Sequence, residues 1–151
     1  MPVAELNISR PRYALDDPRI AEFVTAIDRV NALAEQAPGF VWRLKAEGED
    51  AANMTLPAEP DAIVNLSVWD TTADLAHFVR NTVHDRFHRR RAEWFEVQAA
   101  ATFVMWPVPA GHAPELAEGW ARLTHLRAHG ATPHAFGWDG PTPPSSQRAA
   151  G

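Results

Sequence analysis

The chain contains no cysteine, which removes disulfide frameworks, thiolate nucleophiles, iron–sulfur clusters and cysteine-ligated zinc from its chemistry. Positive charge is not in excess either: 14 lysines and arginines against 19 aspartates and glutamates leave a formal charge of −5. With no basic face and no polybasic tract, nucleic acid and membrane are not expected partners. The longest apolar run, Ala99 to Ala110, is too short to span a bilayer, and Met1-Pro2-Val3-Ala4-Glu5-Leu6-Asn7 lacks the segments of a secretory leader. A cytoplasmic location is expected. Missing too are a glycine-rich phosphate loop, a Gly-x-Ser-x-Gly elbow, carboxylate pairs at a telling spacing and any repeat of fixed period, so nucleotide-dependent and serine-hydrolase chemistries are set aside.

What is present is a chain of 151 residues, 46% hydrophobic, enough for one domain with a real core. That domain is expected over residues 1–138, with residues 139–151 a Pro/Ser-rich tail whose composition predicts disorder. Residues 3–9 alternate Val3, Glu5, Asn7 and Ser9 against Ala4, Leu6 and Ile8, a strand with one apolar face. Asp16-Asp17-Pro18 opens a helix whose Ile20, Phe23, Val24, Ile27, Val30, Leu33 and Ala34 recur at helical spacing up to Ala37-Pro38-Gly39. Phe40 to Lys45 reads as a strand with Phe40, Trp42 and Leu44 on one face, and residues 46–61 read as a loop. Ala62 to Trp69 is a third strand with Ile63, Asn65, Ser67 and Trp69 on one side. Thr72 to Asn81 is helical, and Thr82-Val83-His84-Asp85 has the spacing of a capping box that starts another helix running to about Ala99. A fourth strand spans Ala101 to Val108. The last helix runs from Pro114 to His129 and stops at Gly130, after which Phe136 and Trp138 can fold back onto the body.

This order predicts an α+β protein: a ferredoxin-like four-stranded antiparallel sheet with helices on one face. The second, partly apolar face then needs a cover. A second copy of the chain would supply it, two sheets closing into a dimeric α+β barrel, so a homodimer is expected.

Of the chain's seven histidines and six tryptophans, His77, His84, His88, Trp69 and Trp94 fall in the stretch from Trp69 to Phe95. In one helix, His84, His88, Arg91 and Phe95 share a stripe, and His84 falls in the first turn, where the helix dipole with Arg86 and Arg89 disfavours the imidazolium. A neutral imidazole there can accept a proton. Zinc is not expected: no glutamate follows His84, no third ligand is evident, and four nearby arginines repel a divalent cation. The arginines, Arg91 among them, instead suit an anion or a solvated surface. Trp42, Trp94, Phe95, Phe103 and Trp106 are singly core residues and collectively the walls of an aromatic cavity. His112, His125, His129 and His134 read as turn or surface residues.

Asn65-Leu66-Ser67-Val68-Trp69, His84, Arg90-Arg91-Ala92-Glu93-Trp94-Phe95, the run Trp106 to Pro114 and the run Leu126 to Pro133 resemble the domain-of-unknown-function family 3291 over most of residues 3–138. The resemblance implies the dimeric α+β barrel group, with antibiotic biosynthesis monooxygenases and heme-degrading barrels among its members. By that likeness, Asn7 on the first strand, Trp69 ending the third and either His77 or His84 on the following helix would line the pocket. Three readings follow. The leading one is a small-molecule enzyme, needing no cofactor, that uses His84, Asn65, Trp69 and Asn7 for His-assisted proton transfer on an apolar or aromatic metabolite, as isomerase, cyclase or cofactor-free monooxygenase. His77, His88, Arg91, Trp42, Trp94 and Trp106 would contact the ligand. The second reading is a heme protein with His84 or His77 on iron, and the third a noncatalytic ligand-binding barrel.

Overall fold

The computed structural model describes residues 1–45, 55–83 and 90–141. Four strands, β1 (Val3–Ser9), β2 (Phe40–Arg43), β3 (Ile63–Trp69) and β4 (Phe103–Pro107), form one antiparallel sheet in the order β2-β3-β1-β4. Around it lie α1 (Ala21–Glu35), α2 (Thr72–Phe78), the short α3 (Arg91–Trp94) and α4 (Leu116–His129). The expected helix start is present: the Asp17 side chain accepts the Arg19 backbone N–H, and Pro18 opens a turn of 3-10 helix that leads into α1. Thr71 likewise caps α2 by accepting from the Asp74 amide at 3.0 Å. Beyond α2 the chain continues into a π-helical turn, Val79–Val83. The remainder of the expected capping box lies outside the described residues. The helix expected to continue to Ala99 ends instead at Trp94, because Phe95 turns extended and bridges to Pro11.

Strand period sorts the core. Ala4, Leu6, Ile8, Val64, Leu66, Val68, Val104 and Trp106 project from one face and pack with Leu116 and Leu123 of α4. Val3, Trp69 and Met105 project from the other, against Ala34 of α1 and Leu75 and Phe78 of α2. The four-stranded antiparallel sheet is therefore as expected, but the helices cover both of its faces. The apolar face that a second chain was expected to cover is occupied by this chain's own α4. Close approach is permitted by Gly119, where a Cβ would stand 3.2 Å from the Leu6 side chain and 3.3 Å from the Trp106 ring. Gly39, at φ +84, makes the turn into β2, and a Cβ there would run into the Asp74 carboxyl.

The expectation that Phe40, Trp42 and Leu44 share a face is corrected by a bulge. The register with β3 shifts between Phe40, opposite Trp69, and Trp42, opposite Val68. One extra residue reverses the alternation, so Phe40 joins the α1/α2 side while Trp42 and Leu44 join the α4 side. Arg43 then comes opposite Ser67. No helix among the described residues is long and apolar enough to cross a membrane.

Candidate functional site

Between the sheet and α1, α2 and α3 lies a cavity of about 750 Å³. The polar side of β1 and β3 forms its floor: Glu5, Asn7, Asn65 and Ser67 all face into it, paired across the strands as Glu5 with Ser67 and Asn7 with Asn65. Phe23, Phe40, Phe78, Phe95, Phe103 and Trp138 supply aromatic walls. The floor changes character along β1. Glu5 is only 4% exposed and Ser67 5%, Asn65 is half-buried and Asn7 exposed, so the cavity is closed at the Glu5 end and open at the Asn7 end.

At the closed end three side chains form a directed chain. The Trp69 indole Nε1–H donates to Ser67 Oγ at 3.0 Å, and Ser67 Oγ–H donates to Glu5 Oε1 at 2.7 Å. An indole N–H can only donate, so the serine hydroxyl accepts there, and its own proton is turned to Glu5 Oε1. Trp69 is itself fixed, edge-on to Phe40 with centroids 5.4 Å apart and stacked on Phe78 at 5.3 Å. Burial pushes the Glu5 carboxyl up to about 8, against the smaller lowering effect of the Ser67 hydrogen bond.

Among the described residues, the charged groups that line the cavity make no ion pair with these three side chains. Arg43 Nε donates to Glu35 Oε1 at 2.8 Å. Glu96 lies 3.7 Å from Arg10 Nε, and Arg91 is exposed on α3. Among the described residues, the walls given by α1, α2 and β4 carry no ionisable side chain.

Of the residues singled out by sequence, Asn7, Asn65, Trp69 and Arg91 line the cavity. His77 does not: it is exposed on the outside of α2, where Asn81 Nδ2 lies 3.2 Å from its Nδ1. Trp42 is carried to the opposite face by the bulge. Trp106 is there too by strand alternation, donating its Nε1–H to Glu118 Oε2 at 2.8 Å on α4. Trp94 is buried beside the cavity rather than on it, against Ile20 and Phe23, with the Arg90 guanidinium 4.6 Å from its ring centre. His84 and His88 lie outside the described residues. Beside Asn65, Ser67 is taken up by Trp69 and Glu5. The residue that sequence reasoning passed over is Glu5. Its signal was its place in the alternation, between Val3 and Asn7 on the Trp69 side of the sheet.

Heme finds no match in the described part of this cavity. Among the described residues no histidine lines it, and His77 points elsewhere, so no described imidazole is offered to a heme iron. Nor does any group of three described His, Asp or Glu side chains form a metal cage.

The chain belongs to the DUF3291 family, named for a domain of unknown function, which matches residues 2–150. No curated protein sequence matches it. Among solved structures it is similar to SnoaB, a cofactor-independent oxygenase from Streptomyces nogalater, at 16% identity and a TM-score of 0.43 over 72% of this chain and 93% of that one. It is also similar to a protein described as a putative antibiotic biosynthesis monooxygenase from Chloroflexus aurantiacus, at 17% identity and a TM-score of 0.45 over 75% of this chain and 98% of that one.

Proposed function

We propose that the chain is a small-molecule enzyme that takes an apolar or aromatic metabolite bearing a carbonyl or hydroxyl group into the cavity between sheet and helices and carries out proton transfer on it. The class of reaction is that of an isomerase, a cyclase or a cofactor-free monooxygenase. The observation that carries this reading is the cavity's division of labour: aromatic walls for a flat apolar body, and a polar floor of Asn7, Asn65, Ser67 and Glu5 to meet its oxygens. In this reading the Asn7 and Asn65 amides donate to a substrate oxygen and polarise it. Arg91 at the open end would pair with an anionic substituent. His84, beyond the described residues, is retained from the sequence as the proton carrier.

A panel of hydroxylated aromatic ketones, followed by quenching of tryptophan fluorescence and then by absorbance and oxygen uptake, tests this reading. Expected are binding that is weakened by Asn65→Ala and turnover of at least one class member that drops about a hundredfold in His84→Gln. Binding with no turnover across the panel would make the protein a noncatalytic ligand binder, and absence of both would sink the reading. A homodimer stays part of the proposal only through a surface other than the sheet face that α4 covers, and light scattering should then give twice the chain mass of 16.7 kDa.

A further inference from the structure

The hydrogen bonds at the closed end of the cavity also decide where a proton can sit on Glu5. Trp69 donates to Ser67 and Ser67 donates to Oε1, so Oε1 is an acceptor. In that arrangement a neutral carboxyl carries its proton on Oε2. That oxygen has no partner among the described residues, and Glu5 lines the cavity, so the O–H is left for whatever occupies the space. An ionised Glu5 is disfavoured here by physical placement. It is 4% exposed, receives one hydroxyl hydrogen bond, and has no ion pair with a described residue. From β2, Arg43 is held by Glu35; from α3, Arg91 is exposed; after α3, Glu96 adds only like charge. A buried carboxylate with a single neutral donor is costly, and the neutral acid is the form this site accepts.

We infer that Glu5 is a catalytic residue of this cavity, a neutral carboxylic acid that donates the hydrogen on Oε2 to an oxygen of the bound molecule, and that the site therefore selects molecules presenting an anionic oxygen, a phenolate or an enolate. The step is a simple exchange: the proton leaves Oε2 for the ligand oxygen, Glu5 becomes a carboxylate, and the phenolate or enolate becomes a phenol or enol. Ser67 serves as a positioning residue, stabilising the charge that appears on the carboxyl, and Trp69 fixes the serine. The upward displacement of the Glu5 carboxyl to about 8 agrees with this role. The inference rests on the cavity being a small-molecule site, and its test separates the two.

The probes are 4-nitrophenolate, whose absorbance reports its ionisation, and nitrobenzene, which lacks the oxygen. The wild type at pH 7 should bind 4-nitrophenolate at least about tenfold more tightly than nitrobenzene, the worth of one charge-assisted hydrogen bond. That preference should decline above pH 8 as Glu5 ionises. In Glu5→Leu, nitrobenzene should still bind, showing an intact cavity, while the preference disappears. Glu5→Gln keeps a donor in the same place but cannot ionise, so it should keep the preference and lose its decline at high pH. If nitrobenzene binds and the preference is the same in Glu5→Leu as in the wild type, Glu5 is not the donor, although the ligand site stands. Glu5 is excluded in the same way if Glu5→Gln declines above pH 8 as the wild type does. If the wild type binds neither probe, the cavity is not a site for this class and both readings fall.

Discussion

The two sides of the sheet each hold a tryptophan, a carboxyl group and a hydrogen bond, and they use them in opposite ways. On the α4 side, Trp106 donates directly to Glu118, and His112 Nε2 lies 2.8 Å from the other carboxylate oxygen. Burial pulls that carboxyl upward, but the hydrogen bonds with His112 and Trp106 together outweigh it and hold Glu118 below its usual range. On the cavity side, Trp69 reaches Glu5 only through Ser67, and burial dominates. The first arrangement is a finished structural contact, with both oxygens satisfied. The second leaves one oxygen facing the space of the cavity, where water or a bound molecule can meet it.

If this division is right, the two faces should answer differently to truncation. Leu66 is 1% exposed and belongs to the α4-side core; Leu66→Ala should cost about 2–5 kcal/mol, because the deleted methyls leave a hole that close packing cannot fill. Its neighbour Asn65 looks into the existing cavity, and Asn65→Ala should cost below about 1 kcal/mol. Urea unfolding of the two variants, one residue apart on the same strand, measures the contrast. Equal losses would show that the cavity face is packed in solution and that no ligand space exists.

Much of this arrangement was legible in the sequence. The alternation of β1 and β3 put Asn7, Asn65 and Trp69 on one side without any structure, because strand period admits only two faces. Three things were not. The bulge between Phe40 and Trp42 breaks the alternation with no glycine or proline at the break to announce it, and it moves a tryptophan from one side to the other. The seat of α4 was hidden because an amphipathic helix declares which stripe it buries and not which surface receives it. Glu5 escaped notice because a charged residue in an alternating strand ordinarily marks the solvent side, and only the packing of α1 and α2 over that side made it buried. Trp106 was misassigned for a related reason: it and Trp69 have the same composition signal, and parity alone tells them apart.

The second difference between the faces is in pH. The Glu5 carboxyl titrates near 4.5 when unfolded and at about 8 when folded. Between those values the unfolded chain has released a proton that the folded chain retains, so the free energy of unfolding falls as pH rises through this window. Across it the loss is on the order of a few kcal/mol, given about 1.4 kcal/mol per unit of displacement. Urea midpoints at pH 5, 6.5 and 8 should therefore decline in the wild type, and Glu5→Gln should flatten the decline and exceed the wild type at pH 8. Every other ionisable group is common to both proteins, so the difference between them isolates Glu5. A difference that does not grow with pH would mean that the carboxyl is ionised in the folded protein.

Glu118 should give the smaller effect, with the opposite sign. Its carboxyl is held below its ordinary value of 4.5, so the folded chain gives up this proton more readily than the unfolded chain does. The stabilisation is present above that ordinary value and is lost as pH falls through the lower folded one. Glu118 is partly open to solvent, which screens its pairing with His112, and the contribution should stay below about 1 kcal/mol. Glu118→Gln should accordingly leave unfolding near pH 8 almost unchanged and should lessen the acid destabilisation seen between pH 5 and 3. Because the amide oxygen of that variant could still accept the Trp106 N–H, a larger loss at neutral pH would place the strength of this face in the charge on Glu118 rather than in the packing of Trp106. The α4 side would then depend on a buried polar contact as the cavity side does, and the contrast between the two faces would be one of ligand access alone.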